Sequence, residues 1–421
     1  MYPLPMIVKI EGPAKLSGTI DVYGSKNAAL PLIAACLLTQ DEVILHNMPA
    51  ISDIARVQEI FESIGVTTKR EGGTITINAD RIDEKNIAQG LVGHLRGSIL
   101  LLGALLGRKH AVSLKRPGGD VIGARPINAH LDAFRQLGAV IHDDGDMIHI
   151  DGAAMRAGHV VLREFSVTAT ENVLLAAATL EGTTTISIAA TEPHVIALCE
   201  LLEKMGAKVA GAGTHTISIT GSKILHGAVY TNIQDMLEAG FFILLGAASK
   251  SEITVRNVPV QDLLLFFKVC DEIGIDYTIS GADVIVRPAD LRAFTVQALP
   301  YPGIATDLQA PFAVVACVAT GNSMIHDPLY EGRFKHIEEL QKMGALAVVC
   351  DPHRVVLTGP VSLAGRRIPS HDLRSGATLV IAGLIAAGTT IIDQAELIDR
   401  GYADLVGRLQ QLGARISKEE Q

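Results

Sequence analysis

A short phrase that ends in glycine recurs six times along the chain of 421 residues. Each copy closes an amphipathic stretch such as ALCELLEKM or FKHIEELQKM and precedes a β-rich segment. Because glycine ends helices in a left-handed conformation at little cost, we expect each to cap a helix with a positive φ. The six glycines lie roughly 70 residues apart, and this regular spacing indicates one repeated unit. They are Gly65, Gly138, Gly206, Gly274, Gly344 and Gly413.

A second recurring feature is a segment rich in Ala and Leu that has no polar face. The six copies are NAALPLIAACLL, GSILLLGALLG, ENVLLAAATL, AGFFILLGAAS, APFAVVACVAT and GATLVIAGLIAAG. A helix that is apolar all round is buried, so these segments predict the interiors. After most cap glycines, two alternating runs joined by a turn, as in VIHDDGDMIHIDG, predict a β-hairpin. The pattern predicts an α/β fold of six units with buried helices and outer sheets.

The repeats also predict the domains. Polar, glycine-containing stretches near residues 21–25 and 227–231 divide the chain almost evenly. We expect one domain over residues 23–229, with repeats one to three, and a second over 1–22 plus 230–421, with repeats four to six. The last copy lacks a hairpin after its glycine, and the N-terminal strand MIVKIEG is expected to complete it. The active site is then expected in the cleft between the domains.

Composition limits the partners. The formal net charge of −9 argues against nucleic acid and anionic membranes, which both reward a basic face. The N-terminus has no secretory pattern, and no apolar run is long enough to span a bilayer. The five cysteines are scattered without metal-ligand spacing, which predicts reduced core thiols. We expect a cytoplasmic monomer with small-molecule substrates, no nucleic acid, no membrane, no metal and no cofactor.

Charged residues recur in two registers of the repeat. In the loop before the amphipathic helix three copies carry an arginine, namely Arg125, Arg333 and Arg400. Just before the buried helices stand Lys26, Arg96, Asp307, Asp372 and Arg374. Guanidinium groups and helix-start amides together suit a phosphate or a carboxylate. For any single charge the alternative is a solvated helix cap.

Searches for other catalytic motifs are negative. The sequence has no GxGxxG after a strand, no GxxxxGK[ST], no HExxH and no GxSxG. Each of the 14 histidines is expected to be a surface or packing residue rather than a ligand, and only His130 and His194 lie near the proposed loops.

Seven phrases together resemble the enolpyruvyl transferase family over essentially the whole chain. They are GSKNAALP, RPGGDVIGARPINAH, TEPHV, ATDLQAP, YEGRFKH, SHDLRSG and IDRGY. The resemblance is greatest to members that act on UDP-N-acetylglucosamine, whereas members acting on shikimate 3-phosphate carry different lysine and arginine loops. It implies a two-domain inside-out α/β barrel of six units. It also implies transfer of the enolpyruvyl group of phosphoenolpyruvate to the sugar 3-hydroxyl, the committed step of peptidoglycan precursor synthesis.

The resemblance implies roles for individual residues. Lys26 and Asn27 would hold phosphoenolpyruvate, Arg125 and Arg400 its phosphate, and Arg333 and Arg374 its carboxylate. Asp307 is the implied base for the hydroxyl, and its alternative is an ordinary N-cap of the next helix. The implied catalytic set is Asp120, Asp307, Lys26 and Arg400. The remaining implied substrate-binding residues are Arg96, Pro126, Ile127, Asn128, Ala129, Glu164, Ser166, Val167, Leu329 and Asp372.

Departures from the family pattern leave the acceptor open. Asn128 replaces an aspartate, Glu164 a lysine and Thr168 a glycine, all in the nucleotide-sugar pocket that the resemblance implies. A glutamate near a diphosphate adds repulsion. The alternatives are a paralogous enolpyruvyl transferase with another nucleotide or sugar acceptor, and a non-catalytic repeat scaffold that binds protein partners.

Asp120 stands where most members of the family carry a cysteine, in the phrase PGGD. A carboxyl group delivers a proton near neutral pH when burial outweighs a neighbouring cation, here Arg125. The alternative is a simple turn residue after two glycines.

We predict that the epoxide fosfomycin, which alkylates the family's cysteine, leaves this enzyme active. Asp120→Ala is expected to abolish turnover because it removes the proton donor, whereas Asp120→Cys retains turnover and becomes drug-sensitive. Turnover of the natural chain and of the two variants, measured with and without preincubation with the drug, tests these expectations. Time-dependent inactivation of the natural chain would refute the predicted insensitivity to the drug. An unchanged rate of the alanine variant would remove Asp120 from catalysis.

Overall fold

A computed structural model of the chain describes residues 5–119 and 123–421. The described residues form an α/β fold of helices and mixed sheets. The helices are α1 Lys26–Ala35, α2 Ser52–Ser63, α3 Gln89–Val92, α4 Leu100–Lys109, α5 Asn128–Gln136, α6 Val167–Ala177, α7 Pro193–Lys204, α8 Met236–Ala248, α9 Leu264–Ile273, α10 Gln309–Val318, α11 Lys335–Lys342, α12 Leu373–Ile385 and α13 Leu405–Gln411. Short 3-10 segments include Arg96–Ile99, Thr306–Leu308 and Ala395–Arg400.

The strands are short and follow the helices in a regular order. They are β1 Met6–Gly12, β2 Ser17–Asp21, β3 Glu42–His46, β4 Thr67–Glu71, β5 Thr74–Asn78, β6 Ala111–Lys115, β7 Val140–Asp143, β8 Met147–Asp151, β9 His159–Val161, β10 Thr183–Ser187, β11 Lys208–Ala210, β12 Thr216–Thr220, β13 Val229–Thr231, β14 Glu252–Arg256, β15 Asp276–Ser280, β16 Asp283–Arg287, β17 Thr295–Gln297, β18 Gly321–His326, β19 Leu346–Asp351, β20 Arg354–Gly359, β21 Arg367–Pro369, β22 Gly388–Asp393 and β23 Arg415–Glu420.

Within the described residues, the strands form five four-stranded sheets and one of three strands. The four-stranded orders are β13-β3-β5-β4, β11-β12-β10-β9, β15-β16-β14-β2, β17-β18-β20-β19 and β21-β22-β1-β23, and the three-stranded order is β6-β8-β7. In each four-stranded sheet one edge strand pairs in parallel and the other pairs are antiparallel. The predicted hairpins β4–β5, β7–β8 and β11–β12 are confirmed.

The strand at the N-terminal end lies between two strands from the C-terminal end. β1 pairs antiparallel with β23, where Ile10 faces Ile416, and with β22 on its other side, where Ile10 faces Thr390. Ile10 is fully buried, so this pairing also contributes to the core. The parallel edge strands were not expected from the sequence: β2, for example, pairs with β14, far along the chain.

The six apolar helices are buried, which confirms the prediction from their composition. In α8 every residue from Leu237 to Ala248 is buried, and α12 is buried from Leu373 to Leu384. Where α4 packs on α6, Gly103 lies against Asn172, and its backbone N–H donates to Asn172 Oδ1 at 2.7 Å. This contact leaves no room for a side chain at residue 103.

The six cap glycines all have a positive φ, from 84° to 112°, as predicted. In each copy the N–H of the residue after the glycine donates to a carbonyl five residues earlier, as in Val66 to Phe61 at 3.0 Å and Ala345 to Leu340 at 2.9 Å. This bond is the Schellman motif, which requires the left-handed conformation that glycine adopts readily. The recurring phrase is therefore a helix terminator.

The described residues separate into two compact units. Residues 5–23, 123–124 and 234–421 belong to one, and residues 24–119 and 125–233 belong to the other. Cys36, Cys199, Cys270 and Cys317 are buried, but the expectation of core thiols is wrong for Cys350, which is exposed on β19. In the described part of the chain, no helix combines the length and the apolar character needed to cross a membrane.

We predict that Gly103→Ala destabilises the protein by about 1–3 kcal/mol because overpacking forces α4 and α6 apart. The added Cβ would lie against the backbone oxygen of Asn172 and 2.7 Å from its Oδ1. Gly90→Ala in α3 is the matched control, since its Cβ meets nothing within 4 Å. Thermal unfolding of both variants measures the difference. Equal melting temperatures for the two would contradict the packing argument.

Candidate active-site clusters

A carboxylate between two arginines is the central feature of one unit. Asp307 accepts a hydrogen bond from Nη2 of Arg333, and its other oxygen accepts from Nε of Arg374 at 3.0 Å. Both arginine side chains are only 7% exposed, whereas the Asp307 side chain is 22% exposed. Buried cations need such compensation, because the loss of hydration is costly.

Asp307 does not cap a helix, so the alternative interpretation as an N-cap is wrong. It lies in the 3-10 segment Thr306–Leu308, and neither this segment nor α10 has a side-chain cap. Asp372 caps a different helix, α12, by accepting from the N–H groups of Arg374 at 2.8 Å and Ser375 at 2.9 Å. This cap places Arg374 in the first turn of α12, with its side chain turned toward Asp307.

Two tyrosines complete the surroundings of the arginines. Nη1 of Arg374 donates to the hydroxyl of Tyr402 at 3.0 Å, and its guanidinium lies 5.2 Å from that ring. Arg333 lies 5.5 Å from the ring of Tyr330. Burial raises the pKa of Tyr402 to about 12, although Arg374 opposes this shift. Burial disfavours the charge of Arg374, but Tyr402 and Asp307 outweigh it and raise its pKa.

Asp327 is a buried residue that the sequence analysis missed. Its carboxylate accepts from the Thr306 hydroxyl and from the N–H of Leu329 at 3.0 Å. It therefore ties the segment before Asp307 to the loop that carries Leu329, which is 40% exposed. The only sequence signal was an acidic residue directly after β18.

Arg400 lies in the same unit as Asp307 and is buried. It ends the 3-10 segment Ala395–Arg400, and it is 7% exposed. In this unit the structure thus places five predicted residues in buried or half-buried positions, namely Asp307, Arg333, Asp372, Arg374 and Arg400.

Lys26 occupies the first position of α1 in the other unit. Ser25 caps the helix by accepting from the N–H of Ala28 at 3.3 Å. The ammonium of Lys26 is 2.8 Å from Oδ2 of Asp53, and the two side chains are 9% and 2% exposed. Asn27 follows as a half-buried residue. Asp53 was missed because its partner is distant in sequence.

Arg96 and Arg125 are brought together in this second unit. Nη2 of Arg96 donates to the backbone oxygen of Arg125 at 2.8 Å. Arg125 has a φ of 42°, in the left-handed region that non-glycine residues seldom adopt. Asp120, the proposed acid, lies outside the described residues.

The predicted acceptor residues lie on two neighbouring helix starts. Asn128 and Ala129 begin α5 after the exposed Pro126 and the buried Ile127. Ser166 caps α6, and Val167 is its first residue. Glu164, two residues before the cap, is exposed.

A buried histidine joins these two helices. His130 Nε2 is 3.2 Å from the hydroxyl of Thr168, and its Nδ1 is 2.9 Å from Nδ2 of Asn172. Burial, with a contribution from the charge of Arg96, lowers the pKa of His130 to about 3. The predicted packing role of His130 is consistent with its burial, and His194 is buried too.

The described residues contain no group of three or more His, Cys, Asp or Glu side chains placed to hold a metal ion.

Known proteins match this chain over nearly its whole length. A family profile described as EPSP synthase (3-phosphoshikimate 1-carboxyvinyltransferase) matches residues 10–409. The UDP-N-acetylglucosamine 1-carboxyvinyltransferase 2 of Bacillus subtilis (strain 168) is 39% identical over 414 residues, covering 98% of this chain and 96% of that protein. The UDP-N-acetylglucosamine 1-carboxyvinyltransferase of Bacteroides thetaiotaomicron is 37% identical over 429 residues, covering 97% and 99%.

Solved structures show the same fold. The enolpyruvyl transferase NikO from Streptomyces tendae superposes with a TM-score of 0.89 at 26% identity, covering 100% of both chains. An EPSP synthase from Acinetobacter baumannii has a TM-score of 0.74 at 20% identity, covering 99% of this chain and 100% of that one.

We predict that His130 makes the protein less stable in acid. The unfolded chain binds a proton near the ordinary pKa of 6.5, whereas the folded chain binds it only near 3. The stability contribution is therefore complete above pH 6.5 and is lost as the pH falls toward 3, at about 1.4 kcal/mol per pH unit. The free energy of unfolding, measured with denaturant at two pH values within this window, should depend less on pH in His130→Gln than in the natural chain. Identical pH dependences would contradict the prediction.

Proposed function

Because the chain belongs to the EPSP synthase (3-phosphoshikimate 1-carboxyvinyltransferase) family, we propose that it transfers the enolpyruvyl group of phosphoenolpyruvate to the 3-hydroxyl of UDP-N-acetylglucosamine and releases phosphate. The resemblance to enolpyruvyl transferases is confirmed, and the protein is an enzyme of that type. The observation that carries the choice of acceptor is near-complete coverage by relatives named for UDP-N-acetylglucosamine. The reaction supplies a peptidoglycan precursor.

The cationic residues fit a substrate with two anionic groups. Lys26 and Asn27 hold phosphoenolpyruvate, and Arg125 and Arg400 bind its phosphate. Arg333 and Arg374 bind its carboxylate, for which a guanidinium fork is well suited. Burial of Arg333 and Arg374 supports this role, because a buried guanidinium binds anions more strongly than a hydrated one.

Asp307 acts as the base for the acceptor hydroxyl. The methylene carbon of phosphoenolpyruvate takes a proton from the acid, assigned to Asp120, and the hydroxyl oxygen attacks the adjacent carbon while Asp307 takes its proton. The tetrahedral adduct then returns a proton from its methyl group to the carboxylate of the acid. The carbon–oxygen bond to phosphate breaks, which restores the double bond and releases phosphate. Asp307 accepts a hydrogen bond from each of the two arginines. A carboxylate is the form of an aspartate that accepts a proton.

The remaining predicted residues are assigned to substrate binding, with Asn128 and Glu164 in the nucleotide-sugar pocket. They are Arg96, Pro126, Ile127, Asn128, Ala129, Glu164, Ser166, Val167, Leu329 and Asp372. Two observations support this group. Arg96 contacts the Arg125 backbone, and Asn128 and Ser166 stand at the starts of α5 and α6.

We further propose that the fold is the inside-out barrel of six units that the repeats predict. The six Schellman caps and the buried apolar helices support this description. The domain limits after residues 22 and 229, the monomeric state and the cytoplasmic location stay predictions.

An acceptor screen tests the proposed function. Phosphate release from phosphoenolpyruvate is measured with UDP-N-acetylglucosamine, with 3-phosphoshikimate and with other nucleotide sugars. We expect release that depends on UDP-N-acetylglucosamine. Release only with a different acceptor would identify a paralogous transferase, and the absence of both release and ligand-induced stabilisation would favour the scaffold.

We predict that Asp307→Asn lowers kcat by about 100-fold or more, because the amide cannot accept the hydroxyl proton. The matched control is Asp290→Asn, which changes an aspartate whose side chain is fully exposed. Steady-state kinetics of both variants measure the effect. A kcat for Asp307→Asn equal to that of the control would exclude Asp307 as the base.

A further inference from the structure

Glu339 is a buried carboxylate on α11, apart from the cluster around Asp307. Its side chain is 1% exposed, and its two oxygens accept from the ammonium of Lys342 at 2.9 and 2.8 Å. Its Oε1 also lies 3.0 Å from Nε2 of His371. A carboxylate in a poorly hydrated place needs such donors, because the loss of hydration is costly.

The contact with His371 is the one that joins separate segments. Lys342 is the i+3 neighbour of Glu339 on the same helix, and its side chain is 56% exposed, so solvent weakens this pair. His371 belongs instead to the turn between β21 and α12, and it is 27% exposed. A carboxylate oxygen can only accept, so Nε2 of His371 carries a proton and donates the hydrogen bond. This bond fastens the turn before α12 to α11.

The two joined segments carry the arginines beside Asp307. Arg333 lies two residues before the start of α11, which packs on α12. His371 directly precedes Asp372, the N-cap that places Arg374 in the first turn of α12. The bond between α11 and this turn therefore sets the spacing of the backbone segments from which the two guanidinium groups project.

The contacts of Asp307 with the two arginines change during the proposed reaction. Its carboxylate accepts from both Arg333 and Arg374. When it takes the proton of the acceptor hydroxyl it becomes neutral, and a neutral carboxyl group attracts a guanidinium less than a carboxylate does. A link that takes no part in proton transfer is suited to keep the two segments in place during that step. The bond between Glu339 and His371 is such a link.

We infer that Glu339 and His371 are positioning residues for the carboxylate of phosphoenolpyruvate, because their hydrogen bond maintains the spacing of Arg333 and Arg374. This inference rests on the proposed function. From the sequence, His371 was expected to be a surface or packing residue. No motif distinguishes Glu339 from the other charged residues of its amphipathic helix.

The kinetic test compares His371→Leu with His371→Gln. Leucine removes the donor, whereas glutamine has an N–H as many bonds from the backbone as Nε2 of histidine and can still donate to Glu339. We expect His371→Leu to raise the KM for phosphoenolpyruvate about three- to tenfold, the effect of one lost hydrogen bond to a charged group. The KM for UDP-N-acetylglucosamine should stay within about twofold. His371→Gln should keep both values close to those of the natural chain.

Glu339→Gln tests the other side of the bond. It removes the charge that accepts from His371 and should also raise the KM for phosphoenolpyruvate. Because both substitutions act on one bond, the double variant His371→Leu/Glu339→Gln should show the effect of the worse single variant, not the product of the two. The matched control is Glu338→Gln, which changes the exposed neighbour on the same helix.

A purely structural role gives a different kinetic result. A variant that is partly unfolded contains less active enzyme, so its kcat falls while both KM values stay natural. Thermal unfolding of each variant reports how much of the enzyme is folded under the assay conditions. Nitrogen-15 NMR of the natural chain should show a proton on Nε2 of His371, and this readout does not depend on turnover.

A natural KM for phosphoenolpyruvate in His371→Leu would overturn the inference, as would an equal rise in His371→Leu and His371→Gln. A loss of kcat alone, a multiplied effect in the double variant, or an Nε2 of His371 without a proton would overturn it as well. If the natural chain releases no phosphate from phosphoenolpyruvate with any acceptor, the proposed function itself is wrong, and the positioning role is wrong with it.

Discussion

The cost of burying a guanidinium without a counter-charge is the constraint on which the candidate site depends. Arg333 and Arg374 are each 7% exposed, and both donate to the one carboxylate of Asp307. Removing either the acid or its partners would leave charge in a poorly hydrated place. A site that already holds two cations around one carboxylate is prepared to exchange or share that anion with a carboxylate substrate. Under the proposed function, these two guanidinium groups bind the carboxylate of phosphoenolpyruvate.

The same constraint explains where the charges stand in the fold. The apolar helices are buried along their lengths, and two of the candidate cations stand at their N-terminal ends. Lys26 begins α1, and Arg374 is in the first turn of α12. Each is paired with an aspartate, Asp53 or Asp307, from another element. The repeated fold therefore presents charges at the starts of buried helices, and the partners that neutralise them come from elsewhere in the chain.

Local signals in the sequence were sufficient to predict the helices and hairpins. They were not sufficient to predict which distant residues contact each other. The cap glycines and apolar helices follow from backbone geometry and composition, and both predictions were confirmed. Short parallel edge strands such as β9 escaped detection, since three residues carry too little alternation. Asp53, Asp327 and Asn172 were missed because their contacts join distant segments. Asp307 was identified through the family resemblance, yet only the structure excludes its role as a helix cap.

A crystal structure of the enzyme with bound phosphoenolpyruvate and acceptor tests the assigned roles of Arg333, Arg374 and Asp307. We expect the carboxylate of phosphoenolpyruvate to lie within about 3 Å of guanidinium nitrogens of Arg333 and Arg374, a distance typical of charge-assisted hydrogen bonds. Asp307 should then lie within hydrogen-bonding distance of the acceptor hydroxyl. A bound phosphoenolpyruvate whose carboxylate contacts neither arginine would contradict the binding role of Arg333 and Arg374.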